Sequence, residues 1–530
     1  MAAPAATAGS DVETRDTCRE VRVHEKNDSS PSIVDDDGTA VGSTGESMLA
    51  SSAYAFAAQI ATSLFTAVLT LYLVRALGPS QFGDFSLAIG VGSLVALPAD
   101  FGISSSTQRF VADHRGERRR VTELIADAVR LKLIASAVAC GALAALAGPI
   151  AAAYHAPLTW PVRAVAIAVL GQNMMFLFEG AFVADRQVAR NVRVVFGESA
   201  VEFSASIVLV LVIGGAGGAA AGRAIGYVCG GALAMLLGAR AFAWPSALRR
   251  RGRSSSVRRI ARYALPLMLV DGANTLFGAI DLLLIGAYLG SAKVGLFSAP
   301  YRLLILLVYP GAAVANGVAP RMSRGQGREP DAAALAGGLR AVIVMQSLLL
   351  APLIVWARPI VHILLGSGYG GSTATLRVLS ISVYLGGFAP LVSLSANYLG
   401  DARRRVPLMV GAALLDGAID VVLIPRIGIV SGAIATAAAL ALMVGGHLRI
   451  CRRHVELPLR ALAVSACRGL FAAAAMAAVL VAFGTNPPIP LILAGGIAGT
   501  VIFLLTLLLA GEPTVATARS WVLARVSARR

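Results

Sequence analysis

The sequence predicts an all-α polytopic membrane protein of about fourteen transmembrane helices. These would form two six-helix lobes related by a parallel repeat, with an extra helix pair at the C-terminal end. Three observations carry that prediction. First, 57% of the 530 residues are hydrophobic, only 14% are charged, and the mean hydropathy is +0.73. A water-soluble domain carries roughly 25% charged residues, so the missing polar surface implies a bilayer as solvent. Second, apolar runs recur along the chain, each about 20–25 residues long and able to cross a hydrocarbon core ~30 Å thick. Third, the chain repeats itself. Leu77-Gly78, Gly83 and Phe85-Ser86 have the spacing of Leu289-Gly290, Gly295 and Phe297-Ser298, at a constant offset of 212 residues.

Taken in order, residues 1–49 are polar and acidic and read as a disordered cytoplasmic tail that cannot bury a core. They lack the basic start and short apolar run of a signal peptide. Residues 50–240 hold six spans, near 51–74, 83–105, 124–148, 160–183, 194–214 and 218–239, and form the first lobe. Residues 241–262 are a basic cytoplasmic linker. Residues 263–450 form the second lobe, with spans near 263–288, 294–318, 337–357, 374–398, 406–424 and 429–449. Residues 451–511 supply the extra pair, near 462–483 and 488–510, and residues 512–530 are a basic cytoplasmic tail. The weakest apolar runs are the second and fifth, which contain charges, and the eleventh, which is short.

The net charge of +17 does not imply nucleic acid. Residues 1–50 hold ten acids and four bases, leaving 42 bases against 19 acids for the rest. Those bases cluster in alternate loops: Arg115 and Arg118–Arg120; Arg186, Arg190 and Arg193; Arg249–Arg259; Arg321, Arg324 and Arg328; Arg403–Arg405; Arg452, Arg453 and Arg460. The opposite loops carry single bases: Arg75, Arg163, Arg223, Lys293, Arg358 and Arg426. This is the positive-inside pattern. It predicts a multi-pass protein of the cell membrane with both termini cytoplasmic. An even number of spans between the repeats gives both lobes one orientation and an axis along the membrane normal. Gly218…Gly222 and Gly428…Gly432 add a looser match at an offset of 210.

Charges inside spans are costly and face a cavity or a partner. Arg302 lies nine residues beyond Lys293, or about 13 Å along a helix. A planar guanidinium suits bidentate recognition of phosphate, so one reading is a cation in a central cavity. The other is a structural ion pair with Asp281 or Asp271. Position 90, which matches 302 at the repeat offset, is a glycine, so the cation belongs to one lobe only. Asp100 and Arg109 suit a helix cap or an inner-gate pair. Glu198 and Glu202, with Glu179 nearby, and Asp416 and Asp420 form i, i+4 acidic pairs. These carboxylates suit either a coupling ion or the neighbouring arginine clusters. The five cysteines show no pairing or metal spacing, and no nucleotide-binding glycine loop or catalytic constellation occurs. The sequence therefore predicts no enzyme activity, no cofactor and no metal.

The segments Arg75-Ala-Leu-Gly-Pro-Ser-Gln-Phe-Gly-Asp-Phe-Ser86, Val294-Gly-Leu-Phe-Ser-Ala-Pro-Tyr-Arg302 and Leu423-Ile-Pro-Arg-Ile-Gly-Ile-Val-Ser-Gly-Ala-Ile-Ala-Thr436 occur in that order. They resemble signatures of the Wzx-type polysaccharide flippases, relatives of multidrug and toxin exporters and of peptidoglycan-precursor flippases. The resemblance spans about residues 50–450. It implies two six-helix lobes in a V around a central cavity. It also implies translocation of polyprenyl-pyrophosphate-linked oligosaccharide from the inner to the outer leaflet, with membrane lipids and other polysaccharide-assembly proteins as partners. On that reading Arg302, helped by Arg75 or Lys293, attracts the pyrophosphate. The alternative is a cation-coupled exporter of small amphipathic molecules that uses Asp271, Asp281, Asp416 or Asp420 for coupling. The long acidic N-terminal tail is not part of the family pattern.

Overall fold

Glycine and proline positions set where one helix stops and the next begins. The computed structural model describes residues 44–248, 255–323 and 329–514, and within these the side chains outside 44–61, 255–271 and 402–403. The expected acidic tail falls mostly outside the described residues, as do the middle of the basic linker and most of the basic C-terminal tail. Among the described residues every regular element is helical. The first helix starts at Thr44, inside the expected tail.

Thirteen stretches are long and apolar enough to cross a membrane. The first, Thr62–Asp100, is 39 residues, about 58 Å at 1.5 Å per residue and far more than one bilayer core. Gly78 divides it, with φ 68° and ψ 175°, a backbone that only glycine adopts without strain. Pro79 follows at the first position of the next helix, where its missing N–H costs nothing. The stretch is therefore spans one and two, and the described residues hold fourteen.

The later spans are Arg118–Ala153, Thr159–Ala184, Val188–Val212, Gly215–Phe242, Ser255–Leu289, Ser291–Met322, Ala332–Val355, Ser367–Tyr398, Ala402–Ile427, Val430–Arg452, Leu459–Ala482 and Ile489–Leu509. A short helix, Ile103–Asp113, lies between spans two and three. Gly290 repeats the break of Gly78, with φ 81° and ψ 172°. The loops holding the described arginine clusters all lie at one end of the helices, called here the basic end.

Spans four, five and six pack tightly together, as do seven, eleven and twelve, while thirteen lies against nine and fourteen. Small residues permit the close approaches: Gly231 sits on the backbone of Gly171, and Gly222 on that of Ser206. In a bilayer such contact replaces hydrophobic driving force. The described residues from Ala53 onward form one compact unit.

Two spans are broken midway. Span eight changes to a tighter helix at Leu306–Val308 before Tyr309-Pro310 restarts it. Span ten is interrupted at Gly387-Phe388 ahead of Pro390. A break frees backbone carbonyls, which lipid cannot satisfy. Gln346, buried in span nine, donates from its amide to the carbonyl of Leu307 at 3.1 Å. The side-chain amide also packs where a Cβ on Gly387 would fall. That contact explains a buried glutamine in the middle of span nine.

Candidate functional site

The repeated segments meet each other. Ser298 Oγ donates to Ser86 Oγ at 3.0 Å, two residues 212 apart. A Cβ on Gly83 would fall 1.8 Å from the carbonyl oxygen of Ser291, and one on Gly295 would fall 1.8 Å from that of Pro79. Gly83 with Gly295 and Pro79 with Ser291 are again pairs at offset 212. The contact therefore has local two-fold symmetry, and it closes the end opposite the basic loops. A second element reinforces it. Tyr369 donates to the carbonyl of Val74 at 3.0 Å. Arg75 donates to the carbonyls of Leu364, at 3.1 Å, and of Ile363. These carbonyls belong to the short helices between spans nine and ten.

Arg302 lies one helical turn beyond Ser298, eleven residues into a helix that starts at Ser291, or about 16 Å deep. Its guanidinium stands 5.8 Å from the ring of Phe82 and 5.9 Å from that of Phe85. Such cation–π contacts hold a charge without neutralising it. Among the described residues Arg302 has no ion-pair partner. It lines a cavity of about 250 Å³ whose other walls come from spans one, two, five and six, including Thr66, Thr70, Glu198, Glu202, Arg223 and Tyr227. On the far wall Arg223 pairs with Glu202 at 2.6 Å and donates to Tyr227 at 2.9 Å.

The structure corrects several sequence expectations. Asp281 does not pair with Arg302. It accepts from Thr436 at 2.7 Å and stands in side-chain contact with Asp416 and Asp420, all three buried. Spans seven, eleven and twelve thus gather three carboxyl groups and a hydroxyl away from Arg302. Asp271 lies outside the described side chains. Arg75 is tied to backbone carbonyls of the seal, and Lys293 is exposed on the first turn of span eight. Neither lines the cavity with Arg302. Asp100 pairs with buried Lys132 and accepts from Ser104 at 2.7 Å, while Arg109 lies 3.7 Å from Asp113 on its own helix. Both residues thus have partners within the first six spans, Asp100 at the end of span two and Arg109 on its own helix.

Two residues carry more than the sequence reading gave them. Arg223 was counted among the loop bases, yet its helix begins at Gly215 and places it two turns inside. Lys132 is fully buried in span three, between Asp100 and the charge of Glu179. A lysine eight residues into an apolar run was the available signal.

Fourteen spans, an internal two-fold contact and charged groups facing a cavity define a membrane transporter fold. The family model described as "Polysaccharide biosynthesis protein" matches residues 48–326, and the chain belongs to that family. The chain is 22% identical over 424 residues to the probable low-salt glycan biosynthesis flippase Agl15 of Haloferax volcanii, covering 78% of this chain and 85% of that protein. Among solved structures, the lipid II flippase MurJ in an inward closed conformation has a TM-score of 0.70 at 11% identity, covering 86% of this chain and 97% of that one. An inward-facing multidrug-resistance transporter of the MATE family has a TM-score of 0.57 at 15% identity, covering 73% and 94%. These two likenesses show the fold.

Proposed function

We propose that this protein moves lipid-linked oligosaccharide across the cell membrane, from the cytoplasmic to the outer leaflet, for cell-surface polysaccharide synthesis. The observation that carries the reading is Arg302. It is a guanidinium held by two aromatic rings, without an acidic partner among the described residues, in a cavity closed on the side opposite the basic loops. A buried cation with unused donors is matched to an anionic group such as a polyprenyl pyrophosphate. The hydroxyl- and carboxylate-bearing walls suit a hydrated sugar, and the lipid tail stays among the helices. Family membership and the similarity to a glycan flippase support the same substrate class.

Transport would follow from rocking the two six-span sets, 50–240 and 263–450, about the Ser86–Ser298 axis. Basic loops and both termini on the cytoplasmic side, the orientation the positive-inside rule favours, would place the seal on the outer side. Asp281, Asp416 and Asp420 are the coupling candidates. Three clustered carboxyls repel one another unless a proton or cation joins them, and cation uptake there would bias one state. The apolar walls of the neighbouring cavity keep the exporter of small amphipathic molecules as the alternative.

Export in a deletion strain complemented with Arg302→Ala tests the reading. Loss of surface glycan at normal protein levels is expected, with lipid-linked glycan accumulating in the cell. Lipids co-purifying with the wild type, and absent from Arg302→Ala, identify the substrate by mass spectrometry. Wild-type export by the variant removes Arg302 from the site. Dye efflux that collapses with an ion gradient, without glycan accumulation, supports the alternative.

A further inference from the structure

A second and larger cavity, about 440 Å³, lies between spans seven, eight, ten, eleven and twelve. Its volume is within the range of small-molecule sites. Both broken helices line it, at Val308 and Tyr309 of span eight and at Gly386 and Ala389 of span ten. Irregular backbone at membrane depth is tolerated where it is buried in protein or lines a cavity. In transporters such broken helices form binding sites. Thr436, Leu440 and Met443 lie along the wall on successive turns of span twelve, so the space extends about 10 Å along the helix. The walls are mostly apolar.

One charge borders this cavity, Arg405, on the first turn of span eleven at the basic end. All three of its recorded partners are neutral acceptors. Arg405 Nε donates to His447 Nε2 at 3.1 Å, one terminal nitrogen donates to Ser393 Oγ at 2.5 Å, and the other donates to Asn397 Oδ1. His447 Nδ1 lies 2.7 Å from the carbonyl of Met443. That contact fixes the tautomer, with Nδ1 protonated and Nε2 free to accept. The acid nearest in sequence, Asp401, is already held by Arg404 at 3.0 Å and by His454 at 2.6 Å. Among the described residues Arg405 therefore has no counter-ion. A guanidinium clamped by three neutral groups has its orientation fixed and its charge uncompensated. It stands on the first turn of span eleven, beside an apolar space.

We propose that this cavity is a second binding site, for a phosphate carried on an apolar chain, with Arg405 as the phosphate ligand. The favoured occupant is an isoprenoid phosphate. Its headgroup meets Arg405 at the membrane interface, where basic pockets between helices capture lipid phosphates, and the first isoprene units enter among Val383, Leu440 and Met443. The class of lipid rests on the flippase reading above; the phosphate site does not. In that scheme Arg405 takes the substrate at the basic end, and Arg302 receives it deeper.

The test uses the full-length protein in nanodiscs of neutral lipid, titrated with farnesyl phosphate, dioleoyl phosphatidic acid and inorganic phosphate. Farnesyl phosphate binding is expected to weaken at least tenfold in Arg405→Gln and to change less than threefold in Arg404→Gln, whose side chain pairs with Asp401 outside the cavity. Leu440→Trp, which fills the cavity and leaves the Arg405 contacts in place, is expected to weaken it similarly. An equal Arg405-dependent affinity for phosphatidic acid keeps the site and makes the bilayer the source of its ligand. Inorganic phosphate binding as tightly as farnesyl phosphate overturns the apolar-chain assignment. Unchanged binding in both Arg405→Gln and Leu440→Trp, or an equal loss in Arg404→Gln, overturns the site. Glycan export by Arg302→Ala is a separate measurement, so failure of the flippase reading is distinguishable from failure of this one.

Discussion

Ser86 and Ser298 occupy equivalent positions in the two repeats, and each is the other's hydrogen-bond partner at 3.0 Å. A residue that meets its own copy lies on the local two-fold axis, as in the isologous interface of a symmetric dimer. Around it, Phe82, Phe85 and Phe297 are almost fully buried. Gly83 and Gly295 let the two backbones touch. The repeat offset read from sequence is thus also a contact map: it names the pairs that form the seal. One turn further on, the symmetry ends, with Arg302 in one copy and Gly90 in the other.

Adding a side chain at the seal should open it. With 1.8 Å to the carbonyl of Pro79, even the first carbon of Gly295→Val has no space, and the helices must part. Overpacking of this kind costs about 1–3 kcal/mol. A cysteine placed at Ser298 should then react with a membrane-impermeant thiol reagent added outside intact cells, at least fivefold faster with Gly295→Val than without it. Equal labelling rates in the two backgrounds would mean that these glycines do not hold the seal.

Glu202 limits what Arg223 can bind. The pair is direct, at 2.6 Å, and faces the same cavity as Arg302. Removing the carboxylate charge in Glu202→Gln leaves a second guanidinium available to an anion. Pyrophosphate protection of the purified protein against heat should increase in Glu202→Gln and vanish in Arg302→Ala. Charge-assisted bonds of this type contribute about 1.5–3 kcal/mol, a change of roughly tenfold or more in apparent affinity. A fall in protection by Glu202→Gln would instead assign the carboxylate to ligand binding.

The spans were legible because hydropathy is a one-dimensional signal. So was the segment holding the seal, because duplication leaves a constant offset. The partners of charged residues were not. Asp281 was open to pairing with Arg302, but spans seven, eleven and twelve carry it to Asp416, Asp420 and Thr436, and no single-span pattern encodes which faces meet. Arg75 opens the first repeated segment and has a structural task, since it satisfies carbonyls 289 and 288 residues away. Lys132 was visible as a charge inside an apolar run, yet its partner stood on another helix. Arg405 was read as one of three loop arginines. Only the cavity beside it distinguishes it from Arg404.

Outside the spans, Asp401 links two basic-end segments. The bond from His454, and next the charge of Arg404, hold its carboxyl below the ordinary carboxylate range. A group with a lowered folded-state pKa stabilises fully above its unfolded value, about 3.9, and loses that contribution as pH falls through the folded value. The melting temperature of the wild type should therefore exceed that of Asp401→Asn by a constant margin from pH 5 to 7. The margin should shrink as pH drops below about 4. The site is near the surface and the effect is small. A margin that grows on acidification contradicts this account.

Lys132 and Asp100 give the sharpest test of packing. The ammonium is fully buried, while the Asp100 side chain keeps 23% of its exposure. Breaking the pair is therefore asymmetric. Asp100→Asn leaves a buried charge without its carboxylate and should destabilise by about 3–5 kcal/mol. Lys132→Met removes the buried charge and leaves an acid that retains access to water and to Ser104, so its cost should be smaller. The double variant should recover part of the loss, because the buried charge left unpaired by Asp100→Asn is gone. Glu179 limits the recovery, since it also interacts with the Lys132 charge and loses that partner in Lys132→Met and in the double variant. Thermal unfolding in detergent ranks the variants: Asp100→Asn lowest, the double variant above it. If Asp100→Asn and the double variant melt together, Lys132 is not held by Asp100, and the charge of Glu179 is its effective partner.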